Sequence, residues 1–147
     1  MKSIFDESTT DELIRRISML NENSKAQWGK MDVYQMLKHC TLWEEMITGQ
    51  FKTKRVFLGR IFGKMALKNM IKDEKPVARN MPTVPGFSIK DHGDVLSEKN
   101  KWIAQVKEHA RFSNNNFVHP FFGKMTKEQI GLLAYKHTDH HLRQFNC

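Results

Sequence analysis

Apolar residues recur every three or four positions along most of this chain, and the places where that rhythm stops divide it into helices. Leu13, Ile14, Ile17 and Leu20 follow a helical period. They are preceded by Thr9-Thr10-Asp11-Glu12, which fits a capping box with Thr9 as N-cap, and are stopped by the polar run Asn21-Glu22-Asn23-Ser24. After a connector at Trp28-Gly29-Lys30-Met31, Asp32 caps a second helix with Gln35 at its N3 position. Its apolar positions are Val33, Met36, Leu37, Cys40, Trp43 and Ile47, and Gly49 is its expected stop. A third helical spacing runs from Arg55 to Lys72 with Phe57, Ile61, Phe62 and Met65 apolar.

The rhythm fails between Lys75 and Gly93, where Pro76, Pro82, Pro85, Gly86 and Gly93 forbid a continuous helix. In a small helical domain so long a connection spans the bundle or covers a site. Asp94 then caps a helix with Val95, Trp102, Ile103 and Val106 apolar, running to about Ala110 and ended by Ser113-Asn114-Asn115-Asn116. The aromatic loop Phe117–Met125 is too apolar to stand in water, so it should pack across one end of the bundle. His119 precedes a proline and is therefore biased to extended backbone. A second capping box, Thr126-Lys127-Glu128-Gln129, opens the last helix, whose core face reads Ile130, Leu133, Ala134, His137 and His141. No strand-like alternation, internal repeat or low-complexity tract interrupts this. The expected fold is a single all-α domain over residues 1–147, a four-helix bundle with one long crossover and an additional helix.

Length and composition agree with one soluble domain: 147 residues can enclose a real core, and no apolar run approaches a membrane span. The N-terminus has one lysine, early acids and no apolar stretch, so no signal peptide is expected. Cysteine occurs only at Cys40, inside a helical pattern, and at Cys147, which argues for a reducing, cytoplasmic setting rather than a disulfide framework. Charge changes the picture more. Nine basic residues fall between Gln50 and Arg79 against the acids Asp73 and Glu74, so this segment holds most of the net +8. Arg60, Lys64, Lys68 and Lys72 form a basic stripe at intervals of four. A solvated outer face is the plain reading of it; a surface for an anionic partner, nucleic acid or phospholipid, is the sharper one. No nucleic-acid motif accompanies the stripe, so nucleic acid ranks low among partners.

The candidate chemistry lies in the histidines. His137 and His141 are one helical turn apart on the core-facing stripe of the last helix, as two ligands of one ion require. His39 lies beside the apolar stripe of the second helix and is the candidate third ligand. Taken alone, His39 reads as a hydrogen-bonded core residue, and His137 with His141 as a complement to the carboxyl-end dipole of their helix. That account leaves the inward position of His39 unexplained. Three neutral imidazoles on a divalent ion leave open positions for water or substrate, the pattern of a reactive site. Imidazole suits zinc, nickel, copper or iron.

Met36-Leu37-Lys38-His39-Cys40 resembles the first metal position of the DinB-like superfamily, and His137-Thr138-Asp139-His140-His141 resembles its late H-x-x-H-H motif. The following Leu142-Arg143-Gln144 departs from the Arg-Gly-Gln usual there. Trp28-Gly29-Lys30-Met31, His119-Pro120-Phe121-Phe122-Gly123-Lys124 and His137–Gln144 together are similar to one uncharacterised bacterial family within that superfamily. The resemblance covers nearly the whole chain. It implies a DinB-like four-helix bundle with a divalent metal, zinc or nickel foremost, held by His39, His137 and His141, while Asp139 and His140 lie behind the ligands or on the surface. Similar superfamily members include metal-dependent thiol transferases and isomerases that use a low-molecular-weight thiol. The expected function is therefore a metal-binding protein, a thiol S-transferase or a hydrolase acting on a small-molecule substrate, with a homodimer among the expected assemblies. The alternative is a non-catalytic module using the Arg60–Lys72 face on an anionic partner, or a scaffold without activity.

Overall fold

The computed structural model describes residues 1–50, 53–84, 86–114 and 116–147. Lys52 of the basic segment, Pro85 of the long connection and Asn115 of the polar stop lie outside the described residues. The chain folds as mostly helix: α1 (Glu7–Ser18), α2 (Val33–Thr48), α3 (Phe57–Met70), α4 (Val95–Glu108) continuing into a 3-10 turn (His109–Arg111), and α5 (Lys127–Gln144). The aromatic loop, expected to be irregular, contains a two-residue antiparallel pair, β1 (Val118–His119) with β2 (Gly123–Lys124). Gly123 has φ +83° and closes this turn, a backbone state that favours glycine.

Local signals set most of the boundaries. Asp32 and Thr126 accept the backbone N–H of Gln35 and Gln129 at 2.8 and 3.2 Å, and each glutamine side chain accepts the cap's own N–H in return. Asp94 accepts from the Ser97 N–H, and Gly49 ends α2 in the left-handed conformation. The first helix departs from its expected start: its N-cap is Asp6, and Thr9 is buried inside the first turn. The cause is tertiary. The Ile4 N–H donates to the Gly131 carbonyl on α5 at 3.1 Å, the Ile4 side chain is wholly buried, and the Thr10 hydroxyl donates to the Ile4 carbonyl at 2.7 Å. Docking that segment holds the chain so that helix begins a few residues early.

α2 packs along α4, and α1 lies against both α4 and α5. The core they share includes Leu13, Ile17, Met36, Leu37, Ile47, Trp102, Val106, Ile130 and Leu142, joined by Ile4, Phe87, Phe117 and Phe122 from the connecting segments. Burial of these side chains is the main term holding the helices together, at roughly 1.5–3 kcal/mol for each. Polar side-chain pairs add direction. Asp139, itself buried, accepts from Arg16 of α1 at 2.8 Å and from Arg143 at 2.7 Å. Within the core, His109 pairs with Glu44 at 2.7 Å.

α3 is turned the opposite way to its apolar pattern. Phe57, Ile61, Phe62 and Met65 are exposed, and the buried positions are Gly59, Gly63 and Leu67. Two glycines four apart let the helix backbone lie directly on the backbone of Phe121 and Phe122. Polar groups then lock it: the Val56 N–H donates to the Pro120 carbonyl at 3.0 Å, Arg55 donates to the carbonyls of His119 and Gly59, and Lys64 donates to the Lys124 carbonyl. At the other end the Lys136 ammonium donates to the carbonyls of Met70 and Asp73 at 2.7 and 2.8 Å, satisfying a helix C-terminus that has no intrahelical partner. Close backbone approach and these bonds outweigh the burial that Phe57 and Ile61 would gain.

A methyl group on Gly63 would collide with the Phe121 carbonyl and crowd the Phe122 Cα at 3.2 Å. Gly63→Ala should therefore lower the urea midpoint, by about 1–3 kcal/mol of overpacking. An unhindered helical Gly→Ala change stabilises by about 1 kcal/mol instead, so a raised midpoint would refute the close approach.

Candidate metal centre

His39 sits midway along α2, and His137 and His141 occupy successive turns of α5. The two helices bring one ring nitrogen from each histidine to within 4.8 Å of the others. The closest pair, Nε2 of His39 and Nε2 of His137, is 3.0 Å apart, and the ring centroids of His39–His141 and His137–His141 are 4.8 and 4.7 Å apart. His39 and His141 are buried, and His137 is half-buried.

For His39 and His141 an acceptor behind the ring decides which nitrogen it offers. His39 Nδ1 faces the Phe87 carbonyl at 3.0 Å, and His141 Nδ1 faces the Gln144 Oε1 at 2.9 Å. Both partners are acceptors, so in each ring Nδ1 carries the proton and Nε2 presents its lone pair inward. The Gln144 side-chain amide in turn donates to the Trp28 carbonyl at 2.8 Å, and the Gln144 backbone carbonyl accepts from the Gln27 N–H at 2.7 Å. Phe87 belongs to the proline-rich connection, so that segment does cover the histidines, as its length suggested. The aromatic loop reaches them through Trp43, whose ring meets His137 edge-on at 5.0 Å and His119 at 5.7 Å.

Burial holds all three rings below histidine's ordinary pKa, and mutual repulsion adds to it for His137 and His141, which are pushed well below. Uncharged imidazoles with fixed tautomers are what a cation needs; protonated ones would repel it. This cluster can hold a metal ion. Two surface depressions lie elsewhere, one between Lys64, Lys124 and Ile130 and one beside His109 and Arg111, and neither includes these histidines. The trio lies in a close-packed nest of rings, suited to an ion and a small group rather than a large ligand.

The other motif residues take supporting places. His140 lies beside the Trp28 ring at 5.7 Å and is bonded to the Val77 carbonyl, while Arg79 covers the other part of that indole at 4.3 Å. Asp139 anchors α5 to α1 from inside, so it is not a surface residue. His119 lies outside the trio: its Nδ1 accepts the N–H groups of Phe121 and Phe122, both at 3.1 Å. Sequence reasoning missed that role and the bond from Gln144 to His141. The latter had a signal, since residues three apart on a helix face one another.

A family model covers residues 4–147. The chain belongs to DUF1569, a family described as of unknown function. Neither the curated proteins nor the solved structures returned a match. For this DUF1569 protein the chemistry must therefore be argued from its own residues.

Burial, with the Arg55 charge beside it, lowers the His119 pKa from 6.5 to about 3. The unfolded chain takes up this proton below about pH 6.5 and the folded chain does not, so stability present above 6.5 is lost as pH falls toward 3. His119→Asn keeps an acceptor for the two N–H groups without titrating. Between pH 6 and 4 its unfolding free energy should fall less steeply than the wild type's, by up to about 1.4 kcal/mol per pH unit. Parallel slopes in urea titrations would show that His119 is protonated in the folded state.

Proposed function

We propose that the protein binds a divalent metal ion through Nε2 of His39, Nε2 of His141 and the inward nitrogen of His137, within a DinB-like four-helix arrangement of α1, α2, α4 and α5. The observation that supports this is the pair of Nδ1–H bonds, His39 to the Phe87 carbonyl and His141 to Gln144, which turn two neutral lone pairs to one point. Outer partners of this kind fix ligand orientation in metal sites and raise ligand basicity. Zinc and nickel are the ions we favour for an all-imidazole set.

With three protein ligands, positions remain for a water or a substrate thiol, and the ion would lower the pKa of either. The reading that follows is a metal-dependent thiol S-transferase or a hydrolase. The chain's own cysteines do not serve as the nucleophile. Burial pushes the Cys40 thiol well above its ordinary pKa, and Cys147 is also raised by burial, so neither is a ready thiolate. A transferase would take its sulfur from a low-molecular-weight thiol entering beside His137. Trp43 and Phe87 would wall that entry with apolar surface and keep bulk water from the reacting sulfur.

Metal content after dialysis tests the site. Wild-type protein should hold close to one equivalent of ion per chain, and His39→Ala and His137→Ala should hold none. Equal content in all three would remove the proposal. Gln144→Ala keeps all three ligands and frees the His141 ring to turn, so its affinity should fall by about 10–100-fold, measured by competition with a coloured chelator. Turnover of a small thiol with a soft electrophile, set against ester hydrolysis by the metal-loaded protein, separates the two reaction classes.

A further inference from the structure

The outward side of α3 is uncovered among the described residues, and its make-up is unusual. Phe57, Leu58, Ile61, Phe62 and Met65 are between 48 and 73 % exposed. At 3.6 residues per turn they cover one continuous face, opposite the buried Gly59, Gly63 and Leu67. Arg60, Lys64, Lys68 and Lys72, all exposed, run along one flank of that face and drift into it toward the C-terminus. The helix contains no acidic residue, and among the described residues no carboxylate pairs with those four side chains. A large apolar patch rimmed by one sign of charge marks an interaction surface.

We propose that α3 is an interfacial helix that lies flat on an anionic phospholipid surface, with its apolar face in the headgroup–acyl boundary and its basic flank on the lipid phosphates. The charge chooses this occupant. A second copy of the chain docked on the same face would cover the apolar side chains but bring two uncompensated basic stripes together. A nucleic acid would satisfy the cations and leave five large apolar side chains in water. A bilayer of anionic lipid takes both at once. Fourteen residues make a helix about 21 Å long, and no helix among the described residues is long and apolar enough to cross a membrane. The helix therefore lies in the interface. The contacts of its other side hold it rigidly: Val56 to Pro120 at its start, Gly63 on Phe121 in the middle and Lys136 on the Met70 carbonyl at its end. The face is presented ready-made, without unfolding.

The test is co-sedimentation of the purified full chain with vesicles of phosphatidylcholine alone or with one-third phosphatidylglycerol. We expect association only with the phosphatidylglycerol vesicles, weakening as salt screens the surface charge. Phe57→Ser/Ile61→Ser and Arg60→Glu/Lys68→Glu should each lower the partition coefficient by at least about tenfold. All four side chains are exposed, so circular dichroism and thermal unfolding should match the wild type. Three outcomes overturn the proposal: wild-type protein left in the supernatant with phosphatidylglycerol at low salt; partition unaffected by the serine pair; or a wild-type dimer, by light scattering, that the serine pair converts to monomer without vesicle binding. Retardation of duplex DNA by a chain that ignores the vesicles would equally assign the face to nucleic acid and overturn it.

Discussion

Two Nδ1–H groups donated to oxygen acceptors, one from His39 to Phe87 and one from His141 to Gln144, govern the interior between α2 and α5. Buried imidazoles without partners would be a burden on the fold, since each would leave a polar donor in an apolar setting. Burial keeps the rings neutral, and these partners fix the tautomers of His39 and His141 and face them toward each other. The same bonds tie down the segments that supply the acceptors. Phe87 fixes the middle of a connection otherwise rich in proline and glycine, and Gln144 links the end of α5 to Trp28 between α1 and α2. The centre and its covers are therefore one polar network.

Much of this was legible in the sequence, for identifiable reasons. The capping boxes at Asp32 and Thr126 are local devices, read from four consecutive residues, and both form. The inward position of His39, His137 and His141 follows from helical phase, and the three rings do meet. What failed was whatever tertiary contact decides. Thr9 has the right neighbours for a cap, but Ile4 is drawn into the core and moves the start to Asp6. The paired strands of the aromatic loop are two residues each, too short for any alternation to register.

The third helix is the clearest case. Its apolar residues carry a helical period, and period alone cannot tell which face is covered when the opposite one is smooth. Gly59 and Gly63 were the available signal, because paired glycines one turn apart let two backbones touch. Lys136, a buried ammonium on α5, was another, since it needs carbonyl oxygens and finds those of Met70 and Asp73 at the end of α3. Reading α3 by what it lacks, rather than by its large side chains, would have turned it the right way round.

His39 and His137 meet across 98 positions of chain, whereas His137 and His141 are neighbours on any stretch of helix. The complete trio thus exists only after α2 and α5 have closed on one another, at the entropic cost of a long loop. The local pair needs no such closure. A cation present during folding would meet a two-nitrogen handle before the third nitrogen arrives, and residual affinity of that handle in the unfolded chain subtracts from the stabilisation the ion gives the native one. Any stabilisation by a metal beyond what that handle gives would depend on His39, whose ring only the folded chain brings to the other two.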